Sequence, residues 1–397
     1  MRTLLAALVV LWLPAVALGG GPGHGNGHGN GNGHGNGNGN GNGNGNGHGN
    51  GSGHGHGNGH GHGHNDGCSP NNPGGFYTVW DDFQNGFTID APDAKWFHFG
   101  TPGFVANDGV VSTSRSGLEV KAAGKNRRNG QPAFTLTVAP ESLSGLPGGL
   151  DHPKWLVYMN HQSSQGYPGH DAVKGQTLSC EAWIGGRTYG TENHPFGRDV
   201  RDANDDLRLA SFALNTVDFE SFMVFDFFIT NETIYVFYER LPFGRETLGN
   251  YASFSHQIPV AARGRGQQHR LKISYDRERG RVMWFIDDQE VYRVDRIGHL
   301  LDRRYLTLDH GGREERVDMK QLSCGMGLFT LLDAQRPGQR GLVRLSEVPG
   351  TYFDPDRGAP VQQSFVDNSS LESSRLFGQG ASMSVRRYVV SSEPSRR

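Results

Sequence analysis

Between Asn215 and Leu241 the chain reads NTVDFESFMVFDFFITNETIYVFYERL, two apolar runs divided by a short polar break. Phe222 to Ile229 is nearly continuous aromatic and β-branched residue, and Ile234 to Tyr238 repeats that composition after Thr230-Asn231-Glu232. Runs this short do not span a membrane, and this composition does not suit a surface helix. They predict two central antiparallel strands joined by a tight turn.

Elsewhere the polar and apolar positions alternate with period two, the signature of half-buried strands. Phe134, Leu136 and Val138 alternate with threonines, and Leu178, Cys180, Ala182 and Ile184 alternate with Ser179, Glu181 and Trp183. Leu271 to Tyr275 turns through Asp276–Gly280 into Val282 to Ile286, and Asp287-Asp288 turns again into Glu290 to Val294. Phe76–Trp80, Trp96–Phe99, Trp155–Met159 and Leu207–Leu214 read as further strands, with Gly325–Leu332 as a closing one. Leu306–Leu308 reads equally as strand or extended loop. A helical pattern is hinted only at Ser364–Phe377, and a short strand at Val385–Val390. About a dozen strands with no helical periods between them predict an all-β sandwich or barrel.

Composition changes this picture at the N-terminus. MRTLLAALVVLWLPAVALGG combines a basic start, a short apolar core and a small-residue cleavage site, so residues 1–18 read as a secretory signal peptide. From Gly19 to Gly67, glycine alternates with Asn or His, using 25 of the 60 glycines and nine of the 18 histidines. Nothing apolar anchors that tract, and glycine loses the most backbone entropy on folding, so residues 19–67 are expected to be disordered. The expected sandwich domain is 68–350, followed by a polar C-terminal extension, 351–397. No later segment has spanning length.

The formal net charge of -2 leaves no basic excess for phosphates, which argues against a nucleic-acid partner. Of the three cysteines in a chain read as exported, Cys180 and Cys324 lie in strand-like runs and are the favoured disulfide. Buried free thiols, or a bond from Cys68 to either, are the alternatives.

The segment Arg270–Arg293, RLKISYDRERGRVMWFIDDQEVYR, resembles a segment common to concanavalin A-like lectin and glucanase jelly rolls: strand, turn, V-x-W-x-I-D, turn, E-V-x-R. WDDF-x-x-G-F near residue 80 and the FDFFITN hairpin suit the same architecture, and the resemblance covers Phe76 to Leu332. It implies a concanavalin A-like jelly-roll β-sandwich and a glycan as ligand. The whole chain is also similar to secreted bacterial proteins grouped as DUF6081, a grouping that names no activity.

Laminarinase-like members of that fold carry E-x-D-x-E on one strand, with nucleophile and acid on the same face. Here that motif is missing. The nearest set is Asp218, Glu220 and Asp226, with Glu239 on the partner strand; the ordinary alternative is that Asp218 and Glu220 face solvent. Asp226 lies within VFDFF, where an unpartnered charge is costly. It is expected to pair with an arginine such as Arg208, to bind a ligand in the concave sheet, or to act as an acid with a raised pKa. Arg240 would serve as counter-charge or as a fork-like donor to a sugar hydroxyl.

Asp199, Asp202, Asn204 and Asp206 form an oxygen-rich loop that suits a structural calcium ion, although Arg198, Arg201 and Arg208 favour a salt-bridged loop instead. Trp183, Tyr189, His161 and Arg240 are candidate sugar-binding residues, because glycan recognition uses aromatic faces beside polar arms. CxxC, HExxH, GxGxxG and a nucleophile elbow are all missing. The His/Gly tract offers weak transition-metal binding, with a spacer role as the alternative. No cofactor is required. The leading expectation is a secreted carbohydrate-binding, lectin-like protein. A glycan-cleaving hydrolase or lyase using the concave-sheet carboxylates, and a structural or adhesion module, are the alternatives.

Overall fold

A computed structural model of the chain describes residues 75–395, apart from 102–103, 124–151, 337, 347, 359, 370 and 372–377. The signal, the glycine tract, Cys68 and the strand expected at Phe134–Val138 lie outside the described residues.

The chain enters through β1 (Phe76–Asp81), β2 (Trp96–His98), the short pair β3 (Gly100–Thr101) and β4 (Phe104–Val105), and the hairpin β5 (Gly109–Ser114) and β6 (Gly117–Ala122). Then follow β7 (Pro153–Met159), β8 (His170–Asp171) and the long β9 (Gln176–Tyr189). The central meander is β10 (Ser211–Asp218), β11 (Met223–Ile229), β12 (Thr233–Arg240) and β13 (Phe254–Ala262). A second meander is β14 (His269–Asp276), β15 (Arg281–Ile286) and β16 (Gln289–Val294). The chain closes with β17 (Leu306–Asp309), β18 (Gln321–Phe329), β19 (Gly341–Val343), β20 (Phe365–Asp367) and β21 (Gly380–Pro394).

These strands build an all-β sandwich of two antiparallel sheets. An eight-stranded sheet runs β16-β15-β14-β9-β21-β6-β5, with β1 also on β21. A nine-stranded sheet runs β17-β13-β12-β11-β10-β18-β7-β2, with β8 on β18. Alternation along each strand sends one set of side chains inward. From β11 these are Met223, Phe225, Phe227 and Ile229, which meet Leu271, Ile273, Val282 and Trp284 of the other sheet in one buried cluster. Burying a Phe of this kind contributes roughly 1.5–3 kcal/mol. The opposite face of β11 carries Val224, Asp226 and Phe228, and it too is buried, under a second apolar cluster with Tyr158, Phe219 and Phe237. Burial on both faces explains the unbroken aromatic run.

Cys180 of β9 and Cys324 of β18 form a disulfide that ties the two sheets together through the core. Leu306–Asp309 is a strand, paired with β13.

Two expectations near the C-terminus are corrected. Phe365–Asp367, within the hinted helix, is a strand paired in parallel with β19; the rest of that hint lies mostly outside the described residues. The stretch expected to be a polar extension contains β21, which lies inside the eight-stranded sheet between β9 on one edge and β6 and β1 on the other. A strand whose outer face carries serines and arginines reads as polar, yet Ala381, Met383, Val385, Tyr388 and Val390 fill the core.

Candidate functional site

Directly opposed residues on neighbouring strands share a face. On the outer face of the nine-stranded sheet, one cross-strand row reads Phe237, Asp226, Asn215, Gly325 and Tyr158. The adjacent row carries Glu239, Val224 and Val217. Asp226 and Glu239 are therefore diagonal neighbours, with Cα atoms about 7–8 Å apart in a ladder of this kind. Glycine at position 325 is required by the row itself, since a Cβ there would come within 2.5 Å of the Tyr158 ring.

A cavity of about 120 Å³ lies over these rows. Phe219, Phe222, Phe228, Phe237, Phe243 and Phe329 contribute to its walls, and Asn215, Asp226, Glu239 and His152 are among its few polar groups. An apolar cavity of about 150 Å³ holds benzene, so this one admits a single ring-sized group. Phe222 reaches the wall from a left-handed backbone, φ 62°, at the tight β10–β11 connection. A non-glycine residue held there carries strain that the surrounding packing must offset.

The two carboxyl groups are strongly perturbed. Burial pushes Asp226 well above the usual carboxylate range, and the neighbouring Glu239 adds to the shift. The hydrogen bonds that Asp226 accepts from the Thr216 amide and the Asn215 side chain, both 2.8 Å, oppose it. The Asn215 Oδ1 atom has no hydrogen-bond partner among the described residues. Glu239, walled in by protein but open to the cavity, is pushed up to about 7 by burial; the Ser255 hydroxyl that donates to it and the nearby His152 pull the other way.

His152 makes a 2.5 Å contact with Asp333, whose second oxygen accepts from the Tyr352 hydroxyl at 2.8 Å. Burial alone would lower the His152 pKa, but the Asp333 carboxylate outweighs it and raises the value. Asp333 would rise through burial, yet His152 and the Tyr352 hydrogen bond hold it below the usual range. The cavity thus has one carboxyl pushed well above the usual range, a second poised near neutrality, and at one side a histidine whose pKa is raised by its carboxylate partner.

Of the four carboxylates named from sequence, the structure brings Asp226 and Glu239 to this cavity and holds Asp218 and Glu220 together elsewhere, both contacted by the Gln321 side chain. Asp218 and Asp226 are both even-numbered but lie on opposite faces, because the connection between β10 and β11 pairs Asp218 with Met223. Asp218 accepts from the Ser221 hydroxyl, the Gln321 side chain and the backbone amides of Glu220 and Ser221. Glu220 forms an ion pair with Lys320 at 2.9 Å.

Arg208 belongs to Asp206, which it contacts at 2.6 Å, and does not reach Asp226. Arg240 follows Glu239 on the strand and so faces the other way; it pairs with Glu315 at 3.0 Å and stacks 3.8 Å from the Tyr251 ring centre. His161, in the loop after β7, stacks on His170 of β8 at 3.9 Å. Trp183 and Tyr189 lie on β9 in the other sheet, six residues or about 20 Å apart.

In the oxygen-rich loop, Asp199 pairs with Arg340 at 2.9 Å and Asp202 accepts from the Asn204 amide. Asn204 accepts in turn from the side chains of Asn231 and Arg265. Its oxygens are thus taken by arginine and amide donors, and among the described residues no group of three or more His, Cys, Asp or Glu is arranged to hold a metal.

His152, Asp333, Asn215 and the Phe219, Phe222 and Phe243 wall were not singled out from sequence. One signal was available for Asp333, a carboxylate ending the apolar run Leu328–Leu332. His152 lies at the start of β7, and only the folded sheets bring it 181 residues across to Asp333.

A family model described as a family of unknown function, DUF6081, matches residues 80–394. The chain is 32% identical over 346 residues to Uncharacterized protein L829 of Acanthamoeba polyphaga mimivirus, covering 72% of this chain and 74% of that protein. Among solved structures it is similar to an endo-1,3-beta-glucanase from Streptomyces sioyaensis, at 13% identity and TM-score 0.37, over 81% of this chain and 96% of that one. It is also similar to the alginate lyase from a Corynebacterium species, at 9% identity and TM-score 0.33, over 75% and 94% of the two chains.

Proposed function

The chain belongs to the DUF6081 family, and on that premise we propose that it is an extracellular glycan-cleaving hydrolase acting at the Asp226–Glu239 pair. One observation carries the reading: two carboxyl groups with raised pKa values stand as diagonal neighbours at an aromatic-walled cavity. A pair of carboxyl groups, one kept protonated and one ionisable near neutrality, suits glycosidic cleavage.

Asp226, kept neutral by burial, gives its proton to the departing glycosidic oxygen as the carbon–oxygen bond breaks. Glu239, ionised above about 7, takes a proton from the attacking water, whose oxygen forms the new bond to the anomeric carbon. Phenylalanine faces stack on the CH face of one sugar ring. The cavity volume of about 120 Å³ favours a terminal ring over a chain passing through. Export is supported by the leader pattern and by the Cys180–Cys324 disulfide, which persists in oxidising compartments. Among the described residues, no helix is long and apolar enough to cross a membrane.

The predominance of apolar wall favours a second reading, retention of a sugar ring without cleavage. The test is incubation of the purified protein with a panel of polysaccharides, following both retention on the polymer and release of new sugar ends. Cleavage predicts release that falls at least about 100-fold in Asp226→Asn and Glu239→Gln. Retention without release would move the assignment to binding, and neither signal would remove both.

A further inference from the structure

The outer face of the eight-stranded sheet carries a second constellation, on the opposite side of the sandwich from the Asp226–Glu239 cavity. Two β-bulges lie side by side there. One interrupts β21 between Val385 and Arg387, the other interrupts β1 between Val79 and Asp81. A bulge adds one residue to a strand and re-aims its neighbours. In β21 the added residue is Arg386, so two consecutive arginines leave the core side together, Arg386 exposed and Arg387 half-buried.

The bulges border a depression of about 560 Å³, lined by Val79, Asp82, Gln84, Arg115, Trp183, Arg386 and Arg387. Trp183 forms its aromatic surface, with the guanidinium groups of Arg270 and Arg387 centred 5.1 and 5.6 Å from the ring. Arg270 is already neutralised by Glu181 and Asp288. Arg387 lies over the Tyr77 and Trp183 rings and donates a 3.2 Å hydrogen bond to the Tyr77 hydroxyl, while its buried Nε has no hydrogen-bond partner among the described residues. Among the described residues no ion pair reaches Arg115, Arg386 or Arg387. One carboxylate, Asp82, lines the depression, and its Oδ1 accepts the Gln84 amide.

We infer that this depression is a binding site for an anionic saccharide, with a sugar ring on Trp183 and its carboxylate held by Arg386 and Arg387. An indole face suits the CH face of a sugar ring, and the guanidinium fork matches a carboxylate with two parallel hydrogen bonds. Three unpaired arginines against one aspartate supply the charge complementarity. A nucleic acid would use the same stacking and charge, but the formal net charge of -2 gives no basic track to follow a phosphate backbone. The inference does not depend on the chemistry of the Asp226–Glu239 cavity.

The test is affinity electrophoresis of the full chain in gels containing polygalacturonate, a neutral β-glucan or a single-stranded oligonucleotide. Retardation is expected in polygalacturonate alone, and at least about tenfold weaker affinity in Trp183→Ala and in the double variant Arg386→Ala/Arg387→Ala. The double variant Arg386→Lys/Arg387→Lys, which keeps charge and loses the fork, should recover part of the binding, and unchanged thermal unfolding of each variant excludes misfolding. Glu239→Gln should retain full retardation whether or not it cleaves a glycan, which separates this site from the cavity. No retardation, retardation that survives both alanine variants, or equal retardation by the neutral glucan or the oligonucleotide would overturn the inference.

Discussion

The indole Nε1 of Trp284 donates a 3.1 Å hydrogen bond to the main-chain carbonyl of Asp226, so the eight-stranded sheet holds the strand that carries the candidate acid. Trp284 also meets Phe225 edge-on, with ring centres 5.9 Å apart, and is fully buried. Trp284→Phe loses the donor and leaves a small void, at a cost of about 1–3 kcal/mol in urea unfolding. An unchanged unfolding midpoint would show that the bond contributes nothing.

The disulfide between Cys180 and Cys324 closes a loop of 144 residues across the two sheets. Its removal in Cys180→Ala/Cys324→Ala should cost about 2–5 kcal/mol. The comparison is of denaturant midpoints between the parent and the variant, and equal midpoints would contradict a stabilising role.

Glu239 makes stability depend on pH. Its carboxyl titrates near 7 in the folded chain against an ordinary value of 4.5. The folded state therefore binds the proton more tightly, and stability falls as pH rises from 4.5 through about 7. At 1.36 kcal/mol per pH unit the change amounts to roughly 3 kcal/mol. Glu239→Gln should flatten this slope in unfolding measured across that window. A slope that persists unchanged in the variant would assign it to other groups.

Within the His152–Asp333 pair the two partners have opposite signs. The raised histidine contributes stability below 6.5 that is lost as pH climbs through its folded value; the depressed carboxylate contributes above 3.8 and loses it as pH falls. In Asp333→Asn burial, the largest influence on His152, is opposed only by the charge of Glu239, so the histidine pKa, followed by NMR of the ring carbon, should drop below 6.5. The variant should also lose about 1–3 kcal/mol, because the buried imidazole is left without its carboxylate hydrogen-bond partner. A histidine that titrates unchanged would sink this account.

Local composition made the strands and hairpins legible: the central β11–β12 hairpin turns at Thr230–Glu232, where the polar break interrupts the aromatic run. Asp226 stood out because a carboxylate amid phenylalanines needs an explanation. Its relation to Asp218 was not legible, since residue parity predicts a shared face only within one strand, and the Phe219–Phe222 connection resets it. His152 and Asp333 were hidden by their distance along the chain. Trp183 was visible as an aromatic on a strand, but not its separation from the carboxyl pair, which depends on which sheet β9 joins.

The position of β21 has a consequence for the order of events in the cell. Its fifteen residues pair with β9 along nearly their whole length, and β1, at the beginning of the described fold, pairs with β21. Every other described strand is synthesised before it. Until residue 394 has left the ribosome, β9 keeps a long unpaired edge and β1 has no place to dock. The eight-stranded sheet is therefore closed by the last strand to be made.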